Sequence, residues 1–522
     1  MRIFLSAIII TLILSVNLLA ETAKGICFED KNNNNLFDEG ELGLANVLVS
    51  NGRDIVKTDK DGKYSISLQP NEVLFAINPA EYEFPKNELG NLSFYYNYFP
   101  EGSPALKYGG VAKTGKLPEM INFPLIKKKL YRNDFTMLFF GDSQLRNETE
   151  VGYLVHSSLT KSLEENADLG VFLGDVGFDD LRFYNNLIQS ASVSSHPWHY
   201  LPGNHDMDYD AANQNDVDDT WNNFFGPSYY SYNYGNVHFI SLFDVWYDGN
   251  KKYHAELGEK QLEFIKNDLE NVDKSQLVVL MMHIPMDELK DRQKLFDILK
   301  DYPKTLSFSG HTHTNRQVFF GKEEGWQGAK EHHHIIAGAT CGSWWDGNLD
   351  IYGIPQSLMS DGGSKGYWVV KFENYKYRIK FVATEPQHSD NFSLWSYEKN
   401  DRIPELNEHF ASKRDSVFIN VFGGGKLTNV RVKIDDGEWF KIPQVKVLDP
   451  FYDQIIFIQK NYAKEENKAV LNYWLSDYDR STDHIWSFKL PNNLSKGPHT
   501  IEVEVRDPNG ISEMGKRIIR VE

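Results

Sequence analysis

The segments LGVFLGD at residues 169–175 and WHYLPGNHD at residues 198–206 decide the fold of this chain. Each begins with a short apolar run and ends in a glycine followed by polar side chains. Short apolar runs bounded by turn residues are typical of buried strands. Residues 149–166 and 258–271, by contrast, carry apolar side chains at helical spacing. Strands that alternate with amphipathic helices predict a layered α/β core.

The pattern differs on either side of this core. Short β-type runs separated by turns, such as residues 47–49 and 64–68, precede it. After about residue 400 the helical pattern disappears, and residues 417–421, 430–434 and 501–505 alternate like strands. We therefore predict a central α/β domain at 129–395, flanked by β-sandwiches at 21–128 and 396–522. The strands expected in the core are residues 134–140, 169–173, 198–201, 277–282 and 305–308.

Charge and cysteine content exclude several classes of protein. The 522 residues include 73 acidic and 55 basic side chains, a net charge of −18. Such an excess repels phosphate backbones, so we expect no sequence-specific nucleic acid partner. Cys27 and Cys341 are the two cysteines of the sequence, too few for a disulfide scaffold or a cysteine zinc cluster. The oligomeric state is left open.

The first twenty residues have the pattern of a signal peptide. Met1 and Arg2 give a short basic start, and the apolar run that follows ends at the small residue Ala20. The other interpretation is an uncleaved anchor, because the run approaches the ~20 residues that span a bilayer. With the signal at 1–20 removed, we expect no stable membrane span and a periplasmic or secreted protein.

Five segments of the central domain carry the residues of a metal site, most of them directly after an apolar strand. Carboxylates, an amide oxygen and imidazoles without thiolates suit iron, manganese or zinc. Two ions about 3.5 to 4 Å apart need one bridging carboxylate and further ligands for each ion. The segments are residues 141–144 (GDSQ), 174–175 (GD), 203–206 (GNHD), His283 and residues 310–313 (GHTH).

In order and wording these segments resemble the calcineurin-like metallophosphoesterase superfamily. The joint occurrence of GNHD and GHTH is highly specific for that family. The resemblance implies a small-molecule or cell-surface phosphate ester as substrate, hydrolysed by attack of a metal-bound hydroxide. It also implies two divalent or trivalent ions (Mn, Fe or Zn). The metal ligands it implies are Asp142, Gln144, Asp175, Asn204, His283, His311 and His313, and the catalytic residues are His205 and Asp175.

Within that ligand set, the resemblance makes Asp175 the bridging carboxylate. His205 is placed against the scissile phosphate, with either Asp206 or Asp179 holding its ring. Gln144 departs from the family pattern, which has histidine there. Its amide oxygen is a weaker ligand than imidazole and favours a harder ion such as Mn²⁺.

The whole layout resembles a three-domain bacterial subgroup of the superfamily, with a β-rich domain on each side of the core. Later signatures of that subgroup occur at residues 338–345 and 483–499. Trp344, Trp345 and residues 332–334 (HHH) are candidates for a substrate pocket. The competing interpretation is that both tryptophans are packing residues and that the histidines form an exposed loop.

A calcium site is a second metal candidate, in the N-terminal domain. Six residues occupy positions 1, 3, 5, 7, 9 and 12 of a calcium-loop pattern, and Asn35 replaces the usual glycine at position 6. Asparagine enters the left-handed region readily, so the change is tolerable. The competing interpretation is a surface turn without metal. The candidate ligands are Asp30, Asn32, Asn34, Leu36, Asp38 and Glu41.

Taken together, the sequence predicts an exported dinuclear metal-dependent phosphoesterase acting on mono- or diesters. The rival hypothesis is an extracellular β-rich binding protein with a degenerate phosphoesterase core, in which Gln144 marks the first lost ligand.

Overall fold

A computed structural model describes residues 20–385, 391–462 and 481–521 of the chain. The predicted signal peptide lies outside these ranges except for Ala20. Within the described ranges, no helix is long and apolar enough to cross a bilayer.

The N-terminal unit is a β-sandwich, as predicted. Side chains of Lys63–Leu68 alternate between exposed and buried, which is the pattern of a sheet with one solvated face. One sheet has the strand order Leu42–Gly43, Glu21–Glu29, Phe123–Lys127 and Tyr82–Glu83. Lys63–Leu68 belongs to the same sheet and pairs with Glu21–Glu29. The other sheet has the order Ile55–Lys57, Leu48–Ser50, Glu72–Ile77 and Tyr95–Tyr98.

The core is built from two sheets whose apolar faces pack together, for example where the rings of Phe139 and Phe308 stack 3.8 Å apart. The strands predicted for the core are confirmed to within one residue at their ends. The first sheet has the order Trp198–Leu201, Leu169–Leu173, Asp134–Phe140, Gly366–Glu373 and Lys376–Ala383. The second has the order Tyr230–Tyr234, Val237–Ser241, Leu277–Met281, Thr305–Ser309, His332–Ala337 and Asn315–Phe320. A separate hairpin pairs Val245–Gly249 with Lys252–Ala255.

Helices link the core strands, and both predicted helices are present. The first is Glu148–Leu154, whose N-terminus is capped by the Asn147 side chain, which accepts a hydrogen bond from the backbone N–H of Glu150. It continues into a π-helical turn, Val155–Leu159, and then into Thr160–Ser162. The second predicted helix is Gly258–Leu269. The others are Tyr184–Ser192, Asp219–Phe225 and Arg292–Leu299.

The C-terminal unit is again a sandwich of two sheets. Phe392–Ser396 pairs with Ser416–Val421 in the first of them, so this unit already begins ahead of residue 396. The first sheet has the order Phe392–Ser396, Ser416–Val421, Thr482–Lys489 and Gln444–Val447. The second has the order Phe440–Lys441, Asn429–Ile434, Gly497–Arg506 and Ser512–Val521.

The expectation that helices end near residue 400 is wrong, because Pro404–His409 and Pro450–Tyr462 are helical. The second helix is rich in β-branched residues, which favour strands and conceal a helical period in the sequence. Its start is fixed by the buried side chain of Asp449, which accepts a hydrogen bond from the backbone N–H of Tyr452 at 2.8 Å.

Candidate metal centre

The predicted metal ligands follow the carboxyl ends of parallel core strands. Asp142 follows Asp134–Phe140, Asp175 follows Leu169–Leu173, and Asn204 follows Trp198–Leu201 in the first sheet. His283 and His311 follow two parallel strands of the second sheet, Leu277–Met281 and Thr305–Ser309. Because the ends of parallel strands meet at one edge of a sheet, these side chains converge in a single cluster.

Asp175 lies at the centre of the cluster and is fully buried. Its Oδ2 lies 3.2 Å from Nε2 of His283 and accepts a hydrogen bond from Nε2 of Gln144 at 2.9 Å. Its Oδ1 accepts the backbone N–H of His205 at 2.8 Å. The carboxylate thus faces both groups of predicted ligands, as a bridging ligand must.

On one side of Asp175, the predicted ligands of one ion already stand together. Ligand atoms of Asp175, His283 and His311 all lie within 4.8 Å of one another. Nε2 of His283 is 3.1 Å from Oδ1 of Asn204 and 3.3 Å from Nδ1 of His311. The other ring nitrogen of His283 donates to the carbonyl of Leu173 at 2.8 Å, which fixes the ring and leaves Nε2 free for a cation.

On the other side, Asp142 and His313 approach each other, with Oδ1 and Nε2 separated by 3.5 Å. Nδ1 of His313 donates to the carbonyl of Gly342 at 2.6 Å, so Nε2 is again the nitrogen available to a metal. Among the described residues, Oδ1 of Asp142 and Oε1 of Gln144 are buried without any hydrogen-bond partner. Buried oxygens are rarely left in this state. Two oxygens and an imidazole nitrogen therefore fit a cation here.

The backbone at these positions is strained into the left-handed region. The φ angles of Asp142, Asp175 and His311 are 22°, 48° and 72°, and Gln144 and His313 also have positive φ. Residues other than glycine adopt such angles at a cost and concentrate at functional sites when they do. A Cβ on Gly310 would stand 2.4 Å from Oδ2 of Asp142, so the close approach of the chain requires glycine.

The buried charges of the cluster depend on one another. Burial alone would raise the pKa of Asp175, but His283 and His205 hold it well below its usual range. Burial alone would lower the pKa of His283, but Asp175 outweighs burial and raises it to about 10. Burial and the neighbouring His283 lower the pKa of His311 to about 4. The carboxylate therefore demands a positive charge beside it, which a protonated imidazole or a cation supplies.

His205 stands beside the cluster and is held by Asp179. Its Nδ1 lies 2.7 Å from Oδ1 of Asp179, and its ring stacks on Phe178 with centroids 4.3 Å apart. Burial lowers the pKa of His205, but Asp175 and Asp179 outweigh it, so the pKa is raised. Asp206, the other candidate partner, instead accepts backbone N–H groups, including that of Gly177 at 2.9 Å, and braces the loop.

Three sequence profiles of one family match the chain. The profile described as Calcineurin-like phosphoesterase matches residues 135–315, which contain the whole cluster. The profiles for the N terminal and the C terminal of Calcineurin-like phosphoesterase match residues 31–107 and 332–512. The chain belongs to the calcineurin-like phosphoesterase family. It is a metal-dependent phosphoric ester hydrolase with the predicted three-domain arrangement.

Comparison with solved structures gives distant likenesses to this phosphoesterase, of which two follow. The purple acid phosphatase PPD1 from yellow lupin (Lupinus luteus) is 12% identical, with 65% of this chain and 67% of that chain covered and a TM-score of 0.36. The hypothetical protein PH1004 from Pyrococcus horikoshii OT3 is 9% identical, with 56% and 99% covered and a TM-score of 0.25. Among curated proteins, none matches.

The two tryptophans of the phosphoesterase have different surroundings. The ring of Trp344 is half-buried and lies 4.6 Å from the ring of His313, at the rim of the metal centre. Trp345 is fully buried and its Nε1 donates to the carbonyl of Ser143 at 2.9 Å, so it packs beneath the site. Trp344 is thus the one of the pair placed to contact a substrate, and its contact with substrate stays a prediction.

Neither interpretation of residues 332–334 holds. These histidines lie in the buried strand His332–Ala337, so they form no exposed loop and reach no substrate pocket. Hydroxyl groups of the neighbouring strand pair with His332 and His334, whereas Nδ1 of His333 lies 2.8 Å from the hydroxyl of Tyr377. Ser307 Oγ, for example, lies 2.7 Å from Nε2 of His332 and 2.7 Å from Nδ1 of His334. Three consecutive polar residues suggest a loop, because the sequence does not show which residues pair with them.

Sequence reasoning missed two basic residues beside the centre. Lys251 Nζ lies 3.0 Å from Oδ2 of Asp179, on the turn of the Val245–Gly249 and Lys252–Ala255 hairpin. The Arg146 guanidinium bonds Glu150 and the carbonyl of Trp344. Arg146 lies two residues after Gln144, which is a usable signal. Nothing in the sequence connects Lys251 to the site.

The predicted calcium loop forms a turn that gathers its own polar side chains. Asp30 is buried and accepts two backbone N–H groups of the loop, and Asn35 has a φ of 62°, as expected at its position. Asp38 Oδ2 accepts the side-chain amides of Asn32 and Asn34 at 2.9 and 2.7 Å. These contacts suit a metal loop and an Asx-rich turn equally, so calcium stays a prediction. The candidate ligands lie in this one turn: Asp30, Asn32, Asn34, Leu36, Asp38 and Glu41.

Proposed function

We propose that this phosphoesterase is an exported enzyme that binds two metal ions and hydrolyses phosphate mono- or diesters. The observation that carries the dinuclear assignment is the pair of buried, unpartnered oxygens in the described core, Asp142 Oδ1 and Gln144 Oε1. The side chain of Gln144 is joined to Asp175 through its Nε2, and Oδ2 of Asp142 accepts the backbone N–H of His311 at 2.8 Å. A single ion bound by the histidine side of the cluster would leave Gln144 Oε1 without a partner in the described core and would leave Asp142 Oδ1 facing the imidazole of His313 at 3.5 Å.

The donor atoms divide into two sets that share Asp175. One set is an oxygen-rich site for a hard ion such as Mn²⁺, formed with Asp142, Gln144 and His313. The other has two imidazoles and an amide oxygen, from His283, His311 and Asn204, and suits iron, manganese or zinc.

Bound cations would act as Lewis acids on the phosphoryl group and make an attacking water more acidic. His205 supplies the proton that the leaving oxygen needs. Its Nδ1–H donates to Asp179, which leaves Nε2 as the atom that can transfer a proton. The nearby carboxylates raise the pKa of His205 and so favour the protonated ring. Phe178 stacks on the imidazole and limits its rotation.

Export rests on the sequence of residues 1–20. The basic start, the apolar run and the small residue at position 20 together favour cleavage before Glu21. N-terminal sequencing of the protein recovered from the periplasm or medium checks this proposal. A mature chain that starts at Glu21 supports it, whereas an intact N-terminus retained in the membrane fraction supports the anchor.

The substrate class is decided by assaying purified protein with a panel of phosphate monoesters, diesters and diphosphates under added Mn²⁺. Metal content is measured on the same samples. We expect about two ions per chain, and hydrolysis of mono- or diesters that a chelator abolishes. Protein that binds no metal and hydrolyses none of the panel would instead be a binding protein with a degenerate core.

A further inference from the structure

An exposed apolar hairpin follows Trp344, at the rim of the metal centre, along the chain. Within residues 349–352, the side chains of Leu349, Ile351 and Tyr352 are 56%, 87% and 70% exposed. No other four-residue stretch of the described ranges exposes three large apolar side chains. Single exposed apolar residues are ordinary, but a cluster at a projecting tip indicates a contact surface.

The tip is held in a defined shape. The backbone N–H of Asp350 donates to the carbonyl of Ile354 at 2.8 Å, and that of Gln356 donates to the carbonyl of Asn348 at 2.8 Å. Oδ1 of Asp350 accepts the N–H of Tyr352 at 2.8 Å. The hairpin, residues 348–356, therefore presents its apolar side chains to water from a hydrogen-bonded frame.

The hairpin is also joined to the metal centre. It begins four residues after Trp344, whose ring contacts His313. The carbonyl of Gly342, in the same segment, accepts Nδ1 of His313. At the other end of the hairpin, the buried Lys365 Nζ donates to the carbonyl of Pro355 at 2.7 Å. Ile351 is seven residues after Trp344, so the tip lies within roughly 25 Å of the metal centre.

We propose that residues 348–356 insert their tip into a phospholipid surface, so that the enzyme hydrolyses phosphate esters of membrane lipids. The substrate part of this inference rests on the proposed phosphoesterase function. Water adds across the P–O bond: hydroxyl goes to phosphorus, and the leaving oxygen takes a proton through His205.

The small area of the tip favours a bilayer over a protein partner. Three side chains offer at most a few hundred Å², whereas a stable protein interface needs about 800 Å² from each partner. Isoleucine and leucine enter the hydrocarbon of a bilayer, and tyrosine is favoured at its interface. The net charge of −18 and Asp350 within the hairpin repel anionic headgroups, so the surface it fits is zwitterionic.

Co-sedimentation with phosphatidylcholine vesicles tests the surface, using Ile351→Asp and a matched control, Ile518→Asp. Ile518 is 73% exposed on the C-terminal sandwich, far along the chain from the hairpin. Wild type and Ile518→Asp should bind the vesicles, and Ile351→Asp should bind about tenfold more weakly or less. A wild type that does not sediment, or an Ile351→Asp variant that binds like wild type, overturns the proposal. A dimer in gel filtration that Ile351→Asp dissociates would also overturn it in favour of self-association.

Hydrolysis of two substrates separates this proposal from the proposed function. Ile351→Asp should leave turnover of soluble nitrophenyl phosphate unchanged and should lower hydrolysis of a phosphate lipid embedded in the same vesicles. Equal rates for wild type and variant on the embedded lipid overturn the lipid substrate. If nitrophenyl phosphate is not hydrolysed while vesicle binding persists, it is the phosphoesterase function that fails, not the lipid surface.

Discussion

The imidazole of His205 lies beside the predicted metal ligands but is not one of them. It contacts Asp179 and Phe178, whereas its neighbour Asn204 faces the cluster. Changing His205 to alanine should therefore keep both metals and slow hydrolysis by roughly 10²- to 10⁴-fold, the usual contribution of general acid catalysis. The loss should be smaller for nitrophenyl esters, whose leaving group needs no proton. Metal analysis with kinetics on alkyl and nitrophenyl esters checks this, and loss of a metal would make His205 a ligand.

Gln144 tests whether the departure from the family pattern affects metal choice. Its Oε1 is unpartnered while its Nε2 donates to Asp175, so the amide is oriented by the bridging carboxylate. Gln144→Ala should weaken Mn²⁺ binding by about 10- to 100-fold, in line with losses of supporting groups at metal sites. Gln144→His should shift preference toward zinc or iron, because imidazole is the better ligand for both.

Calorimetric titration of Mn²⁺ and Zn²⁺ into the apo forms measures these affinities directly. Ser143→Ala is the matched control, because Ser143 is an equally buried neighbour whose hydroxyl bonds only a backbone carbonyl, that of Val176. Superimposable Mn²⁺ curves for all variants would mean that Gln144 binds no metal.

The sequence predicted which residues form the cluster, but it did not predict all of the hydrogen bonds between them. Glycine followed by a polar residue after an apolar strand was enough to locate Asp142, Asp175 and His311. The choice between Asp179 and Asp206 as partner of His205 was not available, because it depends on how the loop folds back. The carboxylate of Asp206 accepts hydrogen bonds from backbone N–H groups, whereas the carboxylate of Asp179 contacts the ring of His205.

The helix Asp219–Phe225 begins with an aspartate whose ionised form is disfavoured in the folded protein. Oδ2 of Asp219 is buried without a partner among the described residues, and burial together with Asp218 raises its pKa from 3.8 to about 8. The folded pKa exceeds the unfolded one, so the stability from this group is complete below about pH 4 and is lost as pH rises through about 8.

Asp219→Asn should remove the loss of stability that ionisation of Asp219 causes as the pH rises. The free energy of unfolding of the variant should exceed that of wild type by a margin that grows from about pH 4 to about pH 8. Chemical denaturation across this range measures the margin. Parallel curves for the two proteins would show that Asp219 is ionised in the folded state.

The loop from Asp30 to Glu41 is predicted to bind calcium. If it binds calcium, the ion stabilises the folded state alone, by about 2.7 kcal/mol at a hundredfold excess over the dissociation constant. The melting temperature of wild type should rise with Ca²⁺, and Glu41→Ala should abolish the rise. Glu39→Ala is the control, because Glu39 is an exposed acid of the same turn outside the ligand positions. A melting temperature independent of calcium returns the loop to a surface turn.

Elements were predictable where one period dominates the sequence. The five predicted core strands are mainly apolar, and their bounds were found within a residue. The helix Pro450–Tyr462 was missed because the run Ile455-Ile456-Phe457-Ile458 has the composition of a strand. Its helical form depends on packing against distant residues, both in the C-terminal unit and at Leu358 of the core. The strand of three histidines was missed for the opposite reason, since serines of a neighbouring strand make a polar sequence suitable for burial.

At the scale of the whole molecule, both flanking sandwiches contact the core. Tyr108 of the N-terminal unit donates its hydroxyl to the carbonyl of Asp179 at 2.7 Å, next to the site. His484 of the C-terminal unit lies 3.1 Å from Asp361, whose carboxylate also accepts the backbone N–H of Asn315, two residues after His313. The order of the three units could be predicted from the sequence. The two contacts between units, Tyr108 with Asp179 and His484 with Asp361, join residues 71 and 123 positions apart, and local patterns do not encode them.

The dinuclear site requires Asp175 to bind two ions at once, and the metal content of Asp175→Asn tests this requirement. Wild type should hold about two ions per chain by elemental analysis. Asp175→Asn should lose or scramble both and lose its activity, with the β-sandwiches still folded by circular dichroism. Asp179→Asn is the control, since Asp179 holds His205 and binds no metal, and it should keep both ions. An Asp175→Asn variant that retains two tightly bound ions and normal turnover would show that Asp175 is not a bridging ligand.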